Sequence, residues 1–191
     1  MSNPSAKPYS AFSSDGHVAR WATWDGDGEE TTTLVWENEG WTVSGLVSRE
    51  SVQYVLRLSA TWQVRQMLLF RDLEEPDLWL ATDGGGRWGE MNGAHRTELD
   101  GCYDVDLTCT PFTSTLPIRR LPLLDGHTAE LPVVVVDPET LEVRTETHRY
   151  TKISAHRWRF AQPDLLYEVE FDVDDYGLVL DYPESFRRLD R

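Results

Sequence analysis

Long hydrophobic runs are missing from this sequence. Its cleanest aliphatic stretch, Val133–Val136, is the size of a strand, far short of the roughly 18 consecutive apolar residues a membrane-spanning helix needs. The opening residues, Met1–Ser14, are polar and rich in serine and proline, without the apolar centre of a secretory signal. The expectations that follow are a disordered tail over 1–14, one domain over 15–191 and a cytoplasmic location. Cysteine is scarce too. Cys102 and Cys109 are the only two; they are too few for a four-ligand zinc site and read as reduced core thiols. Positive charge is also short. Eighteen Lys and Arg against 33 Asp and Glu leave a net charge of −15, and such a surface repels phosphate backbones and anionic headgroups. Nucleic acid is therefore not expected as a partner, and neither is stable membrane insertion.

Helix signals are sparse, whereas period-2 alternation recurs. Strands are expected over His17–Trp24, Thr31–Glu37, Trp41–Ser48 and Ser51–Trp62. In the last of these Val52, Tyr54, Leu56, Leu58, Ala60 and Trp62 share one face. Val64–Arg71, Asp77–Thr82 and Arg87–Met91 continue the pattern. Val133–Asp137 and Leu141–Ser154 flank an Asp-Pro-Glu turn, and Leu165–Val173 turns at Asp174–Gly177 into a hairpin partner at Leu178–Tyr182. Sequential strands on short turns mean antiparallel pairing. One helix candidate is Thr110–Leu121, with Thr110 as N-cap and Pro111 at the first position. Pro117 disfavours helix at Leu116, so this segment is either a kinked helix or two short turns. A second candidate is Pro183–Leu189, with Arg187 and Arg188 at its end.

Motifs for familiar chemistry fail on context. Gly84-x-Gly86-x-x-Gly89 has the letters of a dinucleotide loop, but a β-hairpin pattern surrounds it and no helix opens there. Asp172-x-Asp174-x-Tyr176-Gly177 resembles the start of a calcium loop, but its twelfth position is Pro183 and not Glu. The five histidines show no zinc spacing, and no Gly-x-Ser-x-Gly elbow occurs. Neither metal nor cofactor is expected.

What the chain does have is aromatics and one dense polar stretch. Eight Trp, seven Tyr and six Phe serve as core or as flat platforms for sugars and apolar ligands. Between 104 and 120, Asp104 and Asp106 stand two apart and would share one face of a strand. A paired carboxylate can do acid–base work or hold sugar hydroxyls. Arg119 and Arg120 follow, and their guanidinium groups can pair with those carboxylates or grip a ligand.

These residues carry a resemblance. Gly101-Cys102-Tyr103-Asp104-Val105-Asp106-Leu107, continuing through Thr110-Pro111-Phe112-Thr113-Ser114-Thr115-Leu116-Pro117-Ile118-Arg119-Arg120-Leu121, is similar to the central signature of a glycolipid-binding family long carried as a domain of unknown function. Trp21-Ala22-Thr23-Trp24, Trp62-Gln63-Val64-Arg65, Asp83–Trp88 and Gly177–Pro183 resemble flanking stretches, so the likeness spans about Trp21–Arg188. Ser114 departs from the pattern, where Asn is expected; a hydroxyl lacks the amide's paired donor and acceptor. The resemblance implies a mainly β fold, a spiral β-roll whose long antiparallel sheet wraps one central helix, and a homodimer. It also implies non-catalytic binding or carriage of a glycolipid-like amphipathic molecule. The candidate ligand-binding residues are Asp104, Asp106, Thr110, Thr113, Arg119 and Arg120, with Trp62 and Trp88 as stacking platforms. Two other readings stand beside this one: a hydrolase using Asp104 and Asp106, and a structural protein that associates only with itself.

Overall fold

The computed structural model describes residues 9–72 and 74–190. Seven strands follow one another first: β1 (His17–Thr23), β2 (Glu29–Glu37), β3 (Gly40–Val47), β4 (Val52–Ser59), β5 (Val64–Phe70), β6 (Leu78–Thr82) and β7 (Trp88–Glu90). After β8 (Asp104–Leu107), a 3₁₀ turn at Phe112–Ser114 runs into the helix α1 (Thr115–Arg120). Then come β9 (Thr128–Val136), β10 (Val143–Ser154), β11 (Arg157–Gln162) and β12 (Tyr167–Asp172), and last β13 (Asp181–Tyr182) and β14 (Phe186–Arg188).

The seven opening strands pair in sequence, and β14 closes back on β1 with β13 outside it, giving one nine-stranded antiparallel sheet. The fold is mainly β with one short helix and is not a closed barrel. A second sheet of five strands has the order β12-β11-β10-β9-β8, antiparallel except for the parallel pair β8–β9. That pair accounts for the helix. Parallel neighbours cannot be joined by a tight turn and need a crossover of a dozen or more residues. The crossover carries α1 into the space between the sheets, and residues 109–118 are buried without interruption.

Two clusters make the core. The inward faces of β1–β6 supply Trp21, Leu34, Tyr54, Leu56, Met67 and Leu80, which meet Phe112, Leu116, and Val134 and Val136 of β9. On the other face of the small sheet Tyr150, Trp158, Phe160 and Phe171 meet Ile118. Neighbouring residues of α1 thus serve different clusters, and Leu116→Ala is expected to cost about 2–5 kcal/mol.

Several sequence expectations change. Thr110–Leu121 is the pair of short turns: a 3₁₀ turn followed by one turn of α-helix, with Pro117 early enough in α1 to lack no helical bond. The Thr110 hydroxyl accepts the Phe112 N–H at 3.0 Å. Pro183–Leu189 is not a helix. Tyr182–Ser185 turns, and Phe186–Arg188 becomes a strand because β1 offers a free edge. The hairpin expected between β12 and Leu178–Tyr182 reduces to a single Val173–Val179 bridge, and β13 pairs with β14 instead. Strand β4 stops at Ser59; Ala60 is exposed, and Trp62 sits in a turn at φ 67°. Of the tail expected over 1–14, residues 1–8 lie outside the described residues. Residues 9–14 lie against the domain, with the Tyr9 hydroxyl accepting the Trp158 indole N–H at 2.8 Å and Phe12 buried.

Candidate functional site

A cavity of about 190 Å³ opens where the small sheet, the start of the crossover and the β13–β14 turn meet. Its polar lining is Asp106 from β8, Thr108, Thr110 and Ser114 from the crossover, Gln162 from the end of β11 and Ser185 from the β13–β14 turn. Its aromatic lining is Phe160, Tyr167, Tyr182 and Phe186, with Leu107 and Pro111 beside them. The strand register explains the grouping. Asp106 lies opposite Val135, and Gln162 lies opposite Tyr167, so alternation sends these side chains to the same face of the small sheet.

Asp106 is fixed but not neutralised. Its Oδ1 accepts the Thr113 hydroxyl at 2.6 Å, and no Lys, Arg or His pairs with it among the described residues. Gln162 is oriented from behind, because its Nε2 donates to Glu146 Oε2 at 2.8 Å. Glu146 in turn is held by Arg144 at 2.7 Å. Burial would raise the Glu146 carboxyl, but the bonds from Arg144, His148 and Gln162 outweigh it and hold the group below the ordinary glutamate range.

Asp104 has a different role from Asp106. It is 1% exposed and forms an ion pair with Arg120. Burial keeps its carboxyl above the ordinary aspartate value against the pull of that guanidinium. Both carboxylates are on one face, yet only Asp106 lines the cavity.

Beneath the crossover lies a buried acid that the sequence reading did not pick out. Glu30, on the inner face of β2, receives the hydroxyls of Tyr54 at 2.6 Å, Thr32 at 2.7 Å and Thr110 at 2.6 Å, all on Oε1. Its Oε2 is buried without a partner among the described residues. Burial pushes its pKa from 4.5 to about 7, with the three hydroxyl bonds opposing. The signal was present in the sequence: Glu30 and Thr32 have the same strand parity as the core residue Leu34. Gln162, Tyr167 and Tyr182 gave no such signal, since they reach the cavity only through tertiary pairing.

The remaining sequence candidates lie elsewhere. The Arg119 guanidinium sits 4.4 Å from the Trp62 ring and 4.7 Å from Phe12, and it donates to the Tyr176 carbonyl. Desolvation lowers its pKa to about 10, so it stays charged at neutral pH. Trp62 is 6% exposed inside this stack, and Trp88 is 1% exposed with its indole N–H on the Cys102 carbonyl at 2.9 Å. Asp106 and Thr110 line the cavity and Thr113 touches it through its bond to Asp106, whereas Arg119, Trp62 and Trp88 belong to core packing elsewhere. Both thiols are buried, and burial raises Cys102 to about 11 and Cys109 well above its usual value. They are protonated at neutral pH.

Comparison with known proteins agrees with this architecture. No curated protein matches the sequence. A crystal structure of a DUF1089 family protein from Pseudomonas aeruginosa is similar over 99% of this chain and 100% of that one, at 29% identity and a TM-score of 0.70. A family described as "Putative glycolipid-binding" matches residues 18–188, which include both sheets, the crossover and every residue lining the cavity. The chain belongs to that family.

Proposed function

We propose that the protein binds a glycolipid-like amphipathic molecule without transforming it, and that the cavity beside Asp106 takes the headgroup. The observation that carries this reading is the composition of the cavity. It combines a carboxylate, four serine and threonine hydroxyls and an amide with four aromatic rings, the mixture that holds a sugar's polar edge and apolar face together. Its 190 Å³ is about six liquid-water volumes and falls below the roughly 300–1,000 Å³ of drug-sized sites. That is room for one ring, not for an acyl chain. The chain has a place outside. Leu165 and Leu166 are 61% and 96% exposed and directly precede Tyr167 at the cavity wall. Family membership supports the same ligand class.

The hydrolase alternative requires two carboxylates across one cleft. Asp104 is committed to Arg120, and Asp106 is the one acidic side chain lining the cavity among the described residues. The geometry therefore favours binding over hydrolysis. Native mass spectrometry of freshly purified protein, followed by solvent extraction, tests the reading. A co-purifying glycosylated amphiphile at about one per chain is expected. Release of a cleaved sugar from a supplied glycolipid would overturn the non-catalytic assignment.

A further inference from the structure

The cavity's charge pattern says more about the headgroup. Neighbouring carboxylates have their own cations: buried Asp104 pairs with Arg120, and half-buried Glu146 pairs with Arg144 at 2.7 Å. Arg144 shares a register row with Asp106 across β9, but its guanidinium is turned to Glu146 and Glu142. Asp106 receives only the Thr113 hydroxyl, on one oxygen, and no Lys or Arg lines the cavity among the described residues. Burial raises the Tyr182 hydroxyl across the cavity, with Tyr150, Tyr167 and then the Asp106 carboxylate adding to it.

The hydroxyls of Thr108, Ser114 and Ser185 can donate or accept, and the amide of the facing wall adds an acceptor. Gln162 commits one N–H to Glu146, and the same nitrogen lies 3.4 Å from His148 Nε2, so the amide turns its nitrogen toward the protein and leaves its carbonyl oxygen available to a ligand. Tyr167 and Tyr182 stand at 63° and 61° to the Phe160 ring, each with centroids 6.3 Å from it. Three ring planes thus bound the space in different directions. A negative charge, an acceptor and several aromatic faces together recognise a cation, because ring quadrupoles attract an ammonium that a carboxylate also holds.

Resting on the glycolipid reading, we propose that the headgroup taken by this cavity bears a protonated amine, as in an amino sugar, with the ammonium between Asp106 and the Phe160–Tyr167–Tyr182 rings. The ligand then supplies the cation that the chain itself withholds. An anionic headgroup is excluded by the same carboxylate, and a neutral sugar binds with its ring contacts alone.

Calorimetric titration of the full chain at pH 7 with glucosamine, N-acetylglucosamine and glucose tests this. The three share a ring, but only glucosamine carries a charge. Glucosamine is expected to bind at least tenfold more tightly than the other two. In Asp106→Asn, which keeps an acceptor for Thr113, that preference is expected to fall below about twofold. Equal binding of all three sugars would overturn the amine and leave the glycolipid reading intact. No binding of any sugar, with octyl glucoside still binding at the cavity, would do the same. If octyl glucoside fails there as well, both readings fall. The wild-type comparison decides the matter even if the variant does not fold.

Discussion

Thr110 donates its hydroxyl to Glu30 across 2.6 Å and 80 residues of sequence. The bond ties the wall of the cavity to the inner face of the nine-stranded sheet, and it ends on a fully buried acid whose pKa burial raises to about 7. Tyr54 and Thr32 share the same oxygen, so ionisation of Glu30 is felt by the whole hydroxyl cluster.

A pH dependence of stability follows. The Glu30 pKa is raised on folding from 4.5 to about 7, so the folded state holds a proton that the unfolded chain has released. Its contribution is fully present below pH 4.5 and is lost as pH rises through 7; at roughly 1.4 kcal/mol per unit it is about 3 kcal/mol. Urea denaturation at pH 5 and pH 8 should show the wild type losing about that much relative to Glu30→Gln. Equal pH slopes for the two proteins would contradict the assignment.

The Asp104–Arg120 pair should behave as a buried ion pair. Asp104 is almost wholly enclosed while the Arg120 side chain is 20% exposed. Arg120→Met leaves a buried charge alone and is expected to cost about 3–5 kcal/mol, whereas Asp104→Asn with Arg120→Met should recover much of it. Denaturation midpoints of the two variants give the comparison.

Gly45 is required by Tyr54. The two are paired across β3 and β4, and a Cβ on Gly45 would lie 2.1 Å from the Tyr54 ring. Gly45→Ala therefore displaces the ring that reaches Glu30 and is expected to destabilise by about 1–3 kcal/mol. Retention of wild-type stability would mean that Tyr54 has another place to go.

The exposed leucines offer a test that separates binding from folding. Leu166 is held at φ 52° with almost all of its side chain in water, a conformation that glycine adopts without strain. Leu166→Gly is expected to leave stability unchanged or raise it by less than about 1 kcal/mol. Together with Leu165→Ser it should weaken retention of an alkyl glycoside severalfold, measured by equilibrium dialysis with octyl glucoside. Unchanged retention would mean that the chain leaves by another route.

Much of the large sheet was legible because each of its strands buries one face, so that Val52, Tyr54, Leu56 and Leu58 alternate with polar neighbours. Strand β8 was not read as one because it has only four residues and buries valine and leucine on one side and aspartates on the other. Strand β11 alternates well, with Trp158 and Phe160 inward, but only Ala155 and His156 separate it from β10, and no Gly or Pro marks that turn. The arginines of Phe186–Arg188 suited a helix end as well as a strand; the open edge of β1, far away in sequence, decides for strand. At the cavity, Asp106, Thr110 and Thr113 stood close together in the chain. Gln162, Tyr167 and Tyr182 arrive from β11, β12 and β13, and local sequence holds no record of that meeting.

The most direct test of the central claim is a ¹H–¹⁵N NMR titration of the full chain with octyl glucoside below its micelle concentration. Saturable shifts are predicted at the Gln162 side-chain amide and at the backbone amides of Asp106, Thr110 and Ser114, with Leu165 and Leu166 moving in the same transition. Shifts that do not saturate, or that gather away from the cavity in a separate groove lined by Leu46, Val52, Gln53, Phe70 and Arg71, would contradict the assignment of this cavity as the headgroup site.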